Sequence, residues 1–149
     1  MTATPQPQTA ANIQQVIPFF RIAEMDRSLH FYLDGLGLTL KNKWVVEGKI
    51  RWCMLEIGGA ALMLQTFEKE DGSNPIPAEK LGVGASLVFQ CADAVALYRE
   101  FVSRGLTASE PEVGNNMWVT GITDPDGYRL EFASFTDVPE DTKLSELKT

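Results

Sequence analysis

At 149 residues, with 44% apolar and 22% charged side chains, the chain suits one domain or two small halves sharing a core. A formal net charge of −7 disfavours nucleic acid, whose phosphates call for a basic surface. No run of about 18 apolar residues offers a membrane span, and the acidic balance suits either a cationic ligand or plain solubility.

Residues 1–14 are rich in Pro, Gln, Thr and Ala and lack the basic and apolar regions of a signal peptide, so they read as a disordered leader. A first module is expected over residues 15–68. It opens with the apolar run V-I-P-F-F-R-I from Val16, a strand, followed from Glu24 by E-M-D-R-S-L-H-F-Y-L-D-G-L-G-L. That second stretch reads as an amphipathic helix with Asp26 as its N-cap and a stop at Gly35 or Gly37. Strand signals follow near residues 38–41, 51–57 and 61–66, with Gly58-Gly59 as a hairpin turn.

Residues 69–83 read as a linker. The G-V-G-A run that ends it precedes a strand rather than a helix, so it has no helix N-terminus to hold phosphate. A second module is expected over residues 84–136 and repeats the plan of the first. A-S-L-V-F-Q-C from Ala85 is a strand, and Asp93 caps a helix that ends near Gly105. A weaker strand is expected before Pro111, then strands at 117–123 and 128–134 around the turn Asp124-Pro125-Asp126-Gly127. L-G-L-T from Leu36 and R-G-L-T from Arg104 lie 68 positions apart, as do Phe67 and Phe135. The polar tail, 137–149, is expected to be loosely attached. Cys53 and Cys91 fall on separate strands outside any CxxC pair, which points to reduced thiols in the cytoplasm.

Together these elements predict an α+β fold of two βαβββ modules whose curved sheets surround a cavity. F-R-I-A-E-M-D-R-S-L-H-F-Y-L-D-G-L-G-L, L-E-I-G-G-A-A-L-M-L-Q and D-P-D-G-Y-R-L-E-F resemble the vicinal oxygen chelate superfamily, the glyoxalases, bleomycin-resistance proteins and dioxygenases. The resemblance spans roughly residues 14–136. It implies a homodimer and, in members that use a metal, ligands from the first and last strands of each half. Those positions fall here on Ile17, Met63, Ser86 (or Ala85) and Glu131, so Glu131 alone is a good ligand. Catalytic zinc and non-haem iron sites ask for about three protein ligands. No cofactor is therefore expected, with a divalent metal at Glu131 as the alternative. His30, the sole histidine, reads as a solvent-facing helical residue.

Strand parity turns Ile17, Phe19, Arg21, Ala61, Met63, Gln65, Ser86, Val88, Gln90, Arg129, Glu131 and Ala133 toward the cavity. With the aromatic surface of Trp52 and Trp118, the candidate ligand site is Phe19, Arg21, Trp52, Met63, Gln65, Ser86, Trp118 and Glu131. Trp44, Met54 and Met117 add flat or soft surface. Glu131 keeps three readings: an ion pair with Arg21 or Arg129, a ligand-orienting acceptor, or a catalytic acid/base raised by burial. The leading expectation is a metal-independent small-molecule binder, sequestration of a cationic or aromatic compound being one form. The alternatives are a glyoxalase- or dioxygenase-like enzyme using Glu131, and a structural or regulatory dimer with a closed cavity.

Overall fold

A computed structural model describes residues 12–67, 77 and 81–147. Most of the expected leader and linker lie outside the described residues. The chain forms β1 (Phe19–Arg21), α1 (Met25–Leu29), a wider π-helical turn (His30–Gly35), β2 (Thr39–Val46), β3 (Lys49–Ile57) and β4 (Ala60–Gln65). The second module repeats them as β5 (Ser86–Gln90), α2 (Ala94–Ser103), β6 (Glu112–Gly114), β7 (Met117–Thr123) and β8 (Arg129–Phe135). Each module makes one four-stranded sheet, in the orders β1-β4-β3-β2 and β5-β8-β7-β6. In both, the first strand runs parallel to the last and the other pairs are antiparallel.

Alternation along the strands divides each sheet into two faces. Phe20, Leu62, Leu64, Cys53 and Leu55 of the first sheet, with Leu130, Phe132 and Ile122 of the second, are buried in one cluster with Tyr32, Leu36 and Phe101 from the helical segments. Burying these faces against the helices joins the modules, because neither sheet alone could fill a core. The opposite faces stay open. The expected enclosure of a cavity by the two sheets is therefore not made within this chain, whose sheets are separate.

Three local expectations are corrected. The N-cap of α1 is Glu24, which makes no side-chain capping bond, and Asp26 lies inside the first turn. The strand near Pro111 follows it, as β6, rather than preceding it. The tail is tied down: Val113 N–H donates to Thr142 O, Leu144 N–H donates to Pro111 O, and Glu112 forms a bridge with Lys143. Val138 and Leu144 also pack beside buried Trp118. Asp93 does cap α2, accepting from Ala96 N–H at 2.9 Å, and Gly105 takes φ +82° just past its end.

Candidate functional site

Cross-strand register gathers the candidates of the first module onto its open face. Arg21 pairs with Gln65, Gln65 with Trp52, and Trp52 with Trp44, a row running across all four strands. Phe19, Met63 and Met54 form the next row. Phe19 remains 45% exposed and Trp44 55%, too much apolar area for a finished core. The Arg21 guanidinium lies over the Phe67 ring, 4.0 Å from its centroid. Its preferred partner is thus an aromatic face rather than the Glu131 carboxylate expected as one option. Gln65 and Trp52 make no side-chain hydrogen bond among the described residues, so their polar ends are available on that face.

On the second sheet, Ser86 stands level with Arg129, and Val88 with Glu131 and then Gly121. Glu131 is partly exposed and pairs with Arg129, Nε to Oε1 at 3.5 Å. Gly121 makes room for this pair: a Cβ there would meet the Arg129 guanidinium at 2.6 Å. Trp118 lies apart from these residues. It belongs to the other parity of β7, paired with Ser134 and Val113, and is buried on the helix side with Ala94. The eight expected residues therefore separate into five on one sheet, two on the other and one in the interior.

The turn from Asp124 to Gly127 does more than close a hairpin. Asp124 Oδ1 accepts from the N–H groups of Asp126 (2.9 Å) and Tyr128 (2.8 Å), and its Oδ2 accepts from Tyr32 O–H at 2.6 Å. Asp126 accepts from Ala23 N–H, Arg27 and Ser28 at the start of α1. A helix with no cap of its own thus receives a carboxylate from the other module, where the helix dipole favours negative charge. Tyr128 stacks on Phe20 at 3.8 Å and donates to Arg21 O at 2.8 Å. Burial pushes the Asp124 carboxyl above its ordinary value, against hydrogen bonds from Tyr32, Tyr128 and Asp126 that pull it down. The phenol of Tyr32 is raised, first by burial and then by Asp124. Sequence reading missed this junction. The available signal was an acidic pair in one turn and D-R-S with a following tyrosine at the start of the other module's helix.

A metal fits these residues poorly. Ile17 offers no donor, Met63 only a thioether, and Glu131 is engaged with Arg129. Among the described residues no group of three or more His, Cys, Asp or Glu could hold a metal ion. His30 is exposed and bonded to Asp34 at 2.8 Å. Burial pushes the Cys53 thiol up to about 11, and the Cys91 thiol is also raised by burial.

The paired βαβββ sheets, each backed by a helix and open on its other face, define a two-module α+β class. Residues 13–132 match the profile of the Glyoxalase/Bleomycin resistance protein/Dioxygenase superfamily, and the chain belongs to that superfamily. No curated protein matches the sequence significantly. Among solved structures it is similar to a bleomycin resistance determinant encoded on the transposon Tn5, with 18% identity, TM-score 0.65, and coverage of 85% of this chain and 100% of that one. It is also similar to TnmS3, an antibiotic binding protein from Streptomyces sp. CB03234, at 17% identity and TM-score 0.61, covering 83% and 98%. TioX from Micromonospora sp. ML1 has 14% identity and TM-score 0.65, covering 82% and 98%. At these identities the likeness speaks for the fold.

Proposed function

We propose that the chain is a metal-independent small-molecule-binding protein that acts as a cytoplasmic homodimer and sequesters a cationic or aromatic compound. One observation carries this reading: the Arg21–Gln65–Trp52–Trp44 row, with Phe19 and Met63 beside it, lies uncovered on an open sheet. Indole faces there can stack a flat ring or hold a cation, by about 0.5–2 kcal/mol per contact. Gln65 and the Trp52 indole N–H would fix its orientation. The second sheet supplies Ser86 and the Arg129–Glu131 pair, Glu131 orienting an amine or hydroxyl as a charged acceptor.

An open sheet makes only half a pocket, and a second copy that places its other sheet opposite would complete it. The antibiotic-binding activity named for TnmS3 supports a ligand of this kind. Two free thiols suit a reducing compartment. No helix among the described residues is long and apolar enough to cross a membrane. The alternative use of Glu131 as an acid/base gains no support from the neighbouring guanidinium, which favours a standing ion pair.

The experiment is calorimetric titration of chelator-treated full-length protein with a panel of cationic and neutral polycyclic aromatics. Saturable binding below millimolar Kd, weakened about tenfold or more by Arg21→Ala or Gln65→Ala, is expected. Binding that returns only when zinc, nickel, iron or manganese is restored would overturn metal independence.

A further inference from the structure

A cavity of about 640 Å³ lies between the modules, lined on the helix side by Phe89, Phe101 and Phe132 and reaching the edge of β5 at Val88 and Gln90. None of the eight residues expected to bind ligand lines it. Its floor is aromatic. Phe89 stacks on Phe132 with centroids 5.0 Å apart and planes 12° apart, and Phe101 meets Phe132 edge-on, also at 5.0 Å. Leu36, Leu38 and Leu97 form walls, and the stretch before β1 and the Gly58-Gly59 turn form the rim.

No charged side chain among the described residues lines this space, in a chain of net charge −7. Among the described residues its polar side chains are Gln15, Gln90 and Cys91. The two amides make no side-chain hydrogen bond among the described residues, while Cys91 Sγ donates to Ala133 O at 3.5 Å. The volume lies within the roughly 300–1,000 Å³ usual for small-molecule pockets, as does the mixture of apolar walls and few polar groups. Water in such a space finds few partners, so an apolar ligand displaces it favourably. A charged ligand would lose its hydration with no counter-charge to replace it.

We propose that this cavity is a second ligand site, distinct from the Arg21–Gln65–Trp52–Trp44 row, for an uncharged planar aromatic molecule. The ring lies against Phe89 and Phe132, and a hydrogen-bonding substituent reaches the amide of Gln15 or Gln90. Both modules contribute to the lining, so occupancy ties them together.

The two sites carry different reporters. No tryptophan lines the cavity, whereas Cys91 does, and the other thiol, Cys53, is fully buried. The test titrates full-length protein with N-phenyl-1-naphthylamine, an uncharged fluorescent aromatic, and follows the rate of Cys91 alkylation by a maleimide. Saturable probe binding that slows Cys91 alkylation about tenfold, equally in wild type and Trp52→Ala, is expected. Leu97→Trp, which fills the space, should abolish that protection. Gln90→Glu, at an exposed strand position, should weaken it about tenfold even if the larger substitution prevents folding. Absence of probe binding, binding with no change at Cys91, or protection lost in Trp52→Ala would each overturn the proposal. So would Cys91 protection that rises with protein concentration in probe-free samples, because a second copy would then be the occupant.

Discussion

Gly58-Gly59 joins β3 to β4, and Asp124–Gly127 joins β7 to β8 at the equivalent place in the second module. The first turn is exposed, and a Cβ added at either glycine would touch nothing within 4 Å. At the second, both carboxylates are buried and bonded to the start of α1 and to Tyr32. The same turn in the repeat is therefore a plain reversal in one half and the junction between halves in the other. The first is a two-residue turn between paired Ile57 and Ala60, whereas the second is a longer connection between paired Thr123 and Arg129 whose side chains reach another module. A repeated architecture can thus place its assembly contacts on one copy of an element and leave the other free to vary.

Substitutions can break that contrast. The largest effect is expected at Gly82, which has φ +71° and whose added Cβ would sit 2.3 Å from the Gly127 carbonyl carbon. Backbone cannot yield as a side-chain tip can, so Gly82→Ala should cost about 3 kcal/mol in urea unfolding. Gly59→Ala, in the bare turn, should cost less than about 0.5 kcal/mol by the same measurement. Tyr32→Phe removes the 2.6 Å hydrogen bond to a buried carboxylate and should cost about 2 kcal/mol. Arg27→Ala removes a half-exposed cation from Asp126, which keeps its bonds from Ala23 and Ser28, and should cost no more than about 1 kcal/mol.

The smallest effect concerns pH. Burial holds the Asp124 proton to higher pH in the folded chain than the ordinary 3.8 of the unfolded one. Between those values the folded state binds more protons, so this group's contribution to stability falls as pH rises through the window and stays lower above it. Asp124→Asn keeps an acceptor for Asp126 and Tyr128 but has no such titration. Urea midpoints of the two proteins should therefore diverge in the variant's favour on going from below 3.8 upward. A wild-type advantage that grows over that range would contradict the sign.

The repeat carried most of the fold. Matching strand–helix–strand order, the Asp93 cap and the D-P-D-G turn are local signals, written in residues whose backbone preferences act on the spot. The misplacements share a different cause. Met117 and Trp118 are adjacent apolar residues, and only pairing with β8 and coverage by α2 decides that Trp118 turns inward. The start of α1 is not legible locally because its stabilising carboxylate, Asp126, lies about a hundred residues away. The tail is polar, yet it attaches through backbone hydrogen bonds, which composition does not register. The cavity was invisible for a related reason: its aromatic floor is assembled from β5, α2 and β8 only after folding.

The most direct test of ligand binding on the open sheet uses two tryptophans on opposite faces. Trp52 lies in the uncovered row, and Trp118 is buried beneath α2. Tryptophan emission should be followed while a cationic polycyclic aromatic is added to wild type, Trp52→Phe and Trp118→Phe. Saturable quenching that survives Trp118→Phe but falls by more than about half in Trp52→Phe is the predicted result. Quenching that survives Trp52→Phe undiminished and disappears with Trp118→Phe would contradict the assignment of the open face as the binding surface.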